Sequence, residues 1–285
     1  MDSPDRRHGP VVVGIVDDQS SVLLYALGEA ARLHTTVRVV HCYAGLAGDA
    51  YFAQESPDPL HAAGAAVLTR ARAVVQDVEH AVHVEYVLLR GDPGTGLLDE
   101  AERAQVVVLG ADDAGWLEWM LGGDVSGHLA LAAPCPVVVV PRALRMEAPV
   151  TGVVVTLDGD TSADGPLRYG FEQAGRRDER LHVLHAAPVA TTEADVASLT
   201  ARVHHDVARW GALMPSVSVQ VGLASGDAVE ACLAATSNAS LLVIGRPHGE
   251  ARSFALARPV AVLVLRKARC PVVIVPADYG PRVSR

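Results

Sequence analysis

Two acidic clusters, Asp17-Asp18 and Asp158-Gly159-Asp160, each follow a short apolar run, residues 11–16 and 152–157. A carboxylate placed where such a run gives way to a helix can satisfy the free amides of the helix start. It can equally accept hydrogen bonds from a ribose or from the edge of a base. Two glycines, Gly110 and Gly245, close the apolar runs 106–110 and 241–245, and an irregular stretch follows each. Glycine at such a turn is already accounted for by a positive φ, which other residues rarely adopt. The first stretch, 110–126, also offers Gly123 and Ser126, but it carries Asp112, Asp113, Glu118 and Asp124 with no Arg or Lys, a net −4. The second, 245–259, carries Arg246, Arg252 and Arg258 against Glu250, a net +2. An anion is repelled by the first unless a divalent cation such as Mg2+ bridges carboxylate and phosphate, and is attracted to the arginines of the second.

Other chemistry lacks its parts. There is no Gly-x-Ser-x-Gly elbow, and the one lysine, Lys267, follows no glycine-rich run, so neither a hydrolase nucleophile nor a Walker loop is encoded. His182 and His185 are separated by an odd number of positions in a strand-like run and so face opposite ways, against joint metal ligation. His80, His83, His204 and His205 read as helix-surface or helix-end residues. Cys42, Cys135, Cys232 and Cys270 are widely spaced with no Cys-x-x-Cys pair and read as buried thiols. Trp116 and Trp119 lie inside the first acidic stretch, where they could contact a partner or plug a pocket.

The elements that must position these residues occur twice. Val137-Val138-Val139-Val140-Pro141 and Val272-Val273-Ile274-Val275-Pro276 are separated by 135 residues. The same offset relates run 106–110 to run 241–245, and Gly91-Asp92 to Gly226-Asp227. Residues 11–17 match 152–158 at an offset of 141, which places about six extra residues in the first copy, around 45–58. The seam falls within 142–150, giving domains 1–145 and 146–285, in keeping with a chain of 285 residues.

Within each copy, short β-branched runs alternate with segments of helical period such as 20–33. Strands are expected near 10–16, 36–43, 83–90, 105–109 and 136–140, then near 151–157, 180–187, 216–223, 240–244 and 271–275. The expected fold is α/β, two tandem doubly wound domains, each a five-stranded parallel sheet with helices on both faces. Ligands of such sheets sit beyond the carboxyl ends of the strands, where the strand order reverses.

Taken together, these residues resemble the universal stress protein family, over nearly the whole chain and twice. The matching motifs are Val16-Asp17-Asp18, Gly91-Asp92-Pro93, the loop from Gly110 and Cys135-Pro136-Val137. In the second copy they are Asp158-Gly159, Gly226-Asp227, the loop from Gly245 and Cys270-Pro271-Val272. The resemblance implies a domain that binds ATP or another adenine nucleotide in some members and none in others, generally as dimers. It points to Asp17, Gly110, Gly123, Asp158 and Gly245 as nucleotide-binding candidates, to which the retained hydroxyl of Ser126 and the cationic Arg252 and Arg258 are added. The family loop, G-x2-G-x9-G-[S/T], is degenerate here: Asp113 and Asp124 replace a glycine and a hydroxyl residue in the first copy, and His248, Arg258 and Pro259 stand in the second.

The expected function is therefore a non-catalytic regulatory or binding protein of the stress response, with weak adenine-nucleotide sites and no catalytic residue. The alternatives are a genuine ATP-binding member that uses a divalent cation, and an adenine-nucleotide hydrolase-like enzyme. A net charge of −9 without basic blocks argues against nucleic acid as a partner. No apolar run approaches the roughly 20 residues of a membrane span, and the polar start of the chain suggests a cytoplasmic protein. The copies are expected to pair as an intramolecular pseudo-dimer through their apolar fifth strands, with homodimerisation and an unidentified protein partner as further expectations.

Overall fold

The computed structural model describes residues 8–17, 19–43, 59–111, 132–142, 152–157, 163–187, 193–225, 227–246 and 263–280. The chain divides into two compact units, Met1–Val140 and Pro141–Arg285. Unit one contains β1 (Val11–Gly14), α1 (Ser20–Leu33), β2 (Val37–Tyr43), α2 (Pro59–Gln76), β3 (Val84–Arg90), α3 (Pro93–Ala101), β4 (Val106–Gly110) and β5 (Val137–Val140). Unit two contains β6 (Gly152–Leu157), α4 (Asp164–Arg177), β7 (Leu181–Ala187), α5 (Glu193–Leu213), β8 (Val219–Ser225), α6 (Ala228–Ala235), β9 (Ala239–Gly245) and β10 (Val272–Val275).

Every strand pair within unit one is parallel, in the order β3-β2-β1-β4-β5. Unit two repeats the pattern as β8-β7-β6-β9-β10. The strand order reverses beside the first strand of each unit. The valine-rich strands β1, β4, β5 and β10 are buried along their whole length, as expected of parallel strands covered on both faces. Helices cover both faces: a Cβ on Gly110 would meet Val22 of α1, whereas Leu109, pointing the other way, shares its space with Leu97 of α3. The expected start of the eighth strand at 216 is instead a turn, in which the Val217 N–H donates to the Met214 carbonyl.

Helix ends follow local chemistry that also repeats. Asp92 caps α3 by accepting from the Thr95 N–H at 2.9 Å, and Asp227 caps α6 by accepting from Val229 and Glu230 at 2.7 and 3.2 Å. The first helix of each unit ends in a left-handed residue, His34 at φ 51° and Asp178 at φ 54°. These backbone positions are more often held by glycine.

Strand pairing also fixes how the two copies correspond. Val11 pairs with Val106 and Val153 with Leu241. Because Val106 and Leu241 are 135 apart, the first strands correspond at 142, not at 141. Gly14 then corresponds to Thr156, while Leu97 of α3 corresponds to Cys232 of α6. A Cβ on Gly14 would lie 3.1 Å from Leu97 Cδ1 and 2.8 Å from Leu109 Cδ2. Unit two instead carries a side chain at Thr156, whose hydroxyl donates to the Val243 carbonyl, and a smaller one at Cys232. One volume is divided in two different ways.

This exchange predicts a coupled pair. Gly14→Thr alone overpacks the core and costs about 1–3 kcal/mol, and Leu97→Cys alone opens a cavity costing about 2 kcal/mol or more. The double variant should be more stable than the sum of the two losses by about 1 kcal/mol, measured by urea unfolding. Strict additivity would refute the compensation.

Candidate functional site

The first strand of each unit runs out of ladder partners at the carboxyl edge of its sheet. In unit one the Ile15 N–H still donates to the Val40 carbonyl at 3.0 Å. The Ile15 carbonyl then accepts from His41 Nδ1 at 2.9 Å, and in unit two the Leu157 carbonyl accepts from His185 Nδ1 at 3.1 Å. A carbonyl can only accept, so Nδ1 carries the proton in both imidazoles. His185 is fully buried and its Nε2 has no hydrogen-bond partner. Each histidine is the fifth residue of its strand, β2 or β7, a repeated placement through which sequence reading could have paired them.

After the Ile15 carbonyl comes Val16, with Asp17 one step later; in the sequence of unit two Leu157 is followed by Asp158, which lies outside the described residues. Val16 is 42% exposed, an apolar side chain at a strand end. The Asp17 carboxylate is turned into solvent, 77% exposed, where it accepts from Arg70 Nη2 of α2 at 3.2 Å. A pair this exposed contributes only about 0–1 kcal/mol. Asp17 thus lies one residue beyond Val16, paired with Arg70; the valine run 11–13 cannot by itself reveal which of two neighbouring registers the sheet adopts.

Beside Val16 lies a cavity of about 230 Å³, lined by Gly14, Ile15, Val16, Val40, His41, Cys42, Pro93 and Leu97. Sequence reading did not find it, because it arises where Leu97 leans over the bare backbone of Gly14. Among its side chains, Cys42 offers a thiol, pushed up to about 11 by burial and then by the Asp92 and Glu100 carboxylates. The corresponding positions in unit two are Thr156, Leu157, Asp158, Leu184, His185, Ala186, Ala228 and Cys232. The residue types at corresponding sequence positions thus differ between the units, Asp158 against Val16 and Thr156 against Gly14.

Gly110 and Gly245 stand at the strand ends as expected, but neither has a positive φ. Close approach requires glycine here instead. A Cβ on Gly110 would lie 2.8 Å from Gln19 Nε2, and one on Gly245 would lie 2.9 Å from Pro166 Cγ. Gln19 is buried over Gly110 with its Oε1 unpartnered, a residue the sequence did not single out. Its counterpart at the start of α4 is Ala163. Past Gly245 the chain stays in register for one residue, the Arg246 N–H donating to the Val275 carbonyl at 2.7 Å. Gly123, Ser126, Asp158, Arg252 and Arg258 lie outside the described residues. Among the described residues no group of three or more His, Cys, Asp or Glu side chains could hold a metal ion.

Comparison with known proteins decides the family. The model of the universal stress protein family matches residues 9–141 and again 151–276. The chain belongs to the universal stress protein family. A universal stress protein of Mycobacterium tuberculosis is 30% identical over 286 residues, covering 93% of this chain and 99% of its own length. The crystal structure of a universal stress protein from Archaeoglobus fulgidus superposes with a TM-score of 0.65 at 18% identity, covering 94% of this chain and 96% of that one, and shows the same fold. A universal stress protein crystallised in complex with cAMP matches 46% of this chain and 100% of its own at 20% identity, with a TM-score of 0.36. No helix among the described residues is long and apolar enough to cross a membrane.

The environment of Cys42 has a direct readout. With its thiol at about 11, about one part in a thousand is thiolate at pH 8, far less than for a free cysteine. Alkylation of Cys42 by iodoacetamide at pH 8 should be at least about tenfold slower than that of an unperturbed thiol and should rise about tenfold per pH unit up to pH 10. A fast reaction that levels off near pH 8.5 would contradict the environment described.

Proposed function

We propose that this universal stress protein is a non-catalytic regulatory protein of the cytoplasm whose two units have diverged in ligand chemistry, and that any adenine nucleotide it takes goes weakly to unit two. The observation that carries this reading is the register of the first strands, in which Val16 follows the Ile15 carbonyl, whereas in the sequence of unit two Asp158 follows Leu157. A carboxylate there can accept from ribose hydroxyls or a base edge; a valine can accept nothing, and buried donors left unpaired weaken binding. Charge supports the same division. The sequence stretch after Gly245 is cationic through Arg246, Arg252 and Arg258, whereas the one after Gly110 is anionic through Asp112, Asp113, Glu118 and Asp124.

The groups nearest the cavity favour binding over chemistry. The Cys42 thiol is held protonated at neutral pH. The imidazoles of His41 and His185 are each committed through Nδ1 to a backbone carbonyl. Among the described residues beside the cavity none is an activated nucleophile or base, and such a set positions a ligand but does not attack it. The apolar fifth strands, β5 and β10, support pairing of the two units as a pseudo-dimer or of two chains as a homodimer.

Titration calorimetry of the full chain tests the nucleotide assignment. ATP should bind with a dissociation constant above about 100 μM, since each lost loop contact removes on the order of 1 kcal/mol. Arg252→Ala with Arg258→Ala should abolish binding at low salt, and no ADP should accumulate. Low-micromolar ATP affinity without metal, or unchanged affinity in the arginine variant, would overturn the assignment. Binding seen only with Mg2+ and lost in Asp113→Ala with Asp124→Ala would move the site to unit one.

A further inference from the structure

The cavity of unit one has a size, a wall chemistry and a charge environment that together select a ligand class. Its volume of about 230 Å³ exceeds the roughly 150 Å³ of an apolar protein cavity that takes up benzene, and falls short of the roughly 300 Å³ at which pockets for drug-sized ligands begin. The space suits one aromatic ring or two fused ones, without a sugar phosphate attached. The side chains of Val16, Val40, Pro93 and Leu97 give it an apolar wall. Cys42 Sγ adds a polarizable atom suited to contact with a ring. Leu97 and Val40 are buried while Val16 is 42% exposed, so the apolar surface continues outward to the mouth.

Charge narrows the choice. Among the described residues no Arg or Lys lines the cavity. Close by, Glu100 is paired with Arg38, Asp17 is paired with Arg70 and Asp92 caps α3. An anion entering here gives up its water to an apolar wall, with no cation among the described lining residues to replace it. A base with several ring donors and acceptors fares little better, because these side chains offer no carboxylate or amide to receive them.

We propose that this cavity is a binding site for an uncharged, weakly polar aromatic molecule of about indole size, with Val16 as the residue that sets this preference. The ring lies against Val40, Leu97 and Cys42, and Val16 closes over its outer edge. This site is separate from the nucleotide site assigned to unit two, so either assignment can fail without the other.

Methyl-labelled NMR of the full-length chain, with indole as probe, tests it. Indole should shift the methyl signals of Val16, Val40 and Leu97 saturably, with a dissociation constant of about 0.1–1 mM. The methyls of Leu157 and Leu184 in unit two should stay in place. Val16→Asp changes an exposed position and puts a carboxylate at the mouth; it should weaken indole at least about tenfold while leaving the remaining methyl spectrum native. Benzoate, of similar size but anionic, should bind at least about tenfold more weakly than indole. The proposal is overturned if indole gives no saturable shift at Val16, Val40 and Leu97 up to about 10 mM, if Val16→Asp binds indole like the parent protein, or if benzoate matches indole.

Discussion

One carbonyl at the end of each central strand organises the head of its unit. Ile15 and Leu157 each present an oxygen beyond the last ladder bond, and each oxygen is met by a histidine Nδ1 from the neighbouring strand. A buried carbonyl left without a donor costs on the order of 1–3 kcal/mol, so this bond helps hold the first strand in one register against the second. The register decides which side chain comes next. One residue of slip would exchange Val16 for Asp17 at the head of unit one and turn an apolar surface into a charged one.

Within that shared frame the two units have kept their volume and changed their polarity. Leu97 fills the space above Gly14 in unit one, whereas Thr156 supplies the bulk beneath the smaller Cys232 in unit two. Around the same place Val16 and Cys42 answer to Asp158 and Ala186, and Gln19 answers to Ala163. Tight packing explains why such changes come in sets: a methylene added on one side of a core must be removed from the other. The cavity is a product of this exchange, since Leu97 reaches across a glycine without filling the space out to Val16. Two copies of one fold can thus present different surfaces to small molecules while sharing strand order, the aspartate caps at Asp92 and Asp227 and the left-handed turns at His34 and Asp178.

Much of this was legible in the sequence, and the misses have physical causes. Strands such as 106–110 and 272–275 are continuous apolar runs bounded by glycine or proline, and the helix at Ser20–Leu33 carries its buried residues at three- and four-residue spacing. The repeat of 135 was exact for the fourth and fifth strands because Gly110, Gly245 and the Cys-Pro motifs mark them individually. At the first strand it slipped by one. Three consecutive valines in each copy fit either register, and the aspartates at 17 and 158 favoured one of them; the ladder register that sets Val153 opposite Leu241 fixes the other. The roles of Gly110 and Gly245 were harder to read, because the close approach of Gln19 and Pro166 is a tertiary fact with no local signature. His41 carries no motif of its own and becomes meaningful only when set beside His185.

The central claim is that the two units differ in ligand chemistry because Val16 follows the histidine-bound carbonyl in unit one, whereas Asp158 follows it in the sequence of unit two. Its most direct test follows methyl signals of both units in one sample as AMP is added at low salt. The account predicts shifts at Leu157 and Leu184 of unit two, with Val16, Val40 and Leu97 of unit one unchanged. Shifts at Val16 and Val40 that precede or equal those at Leu157 would contradict it.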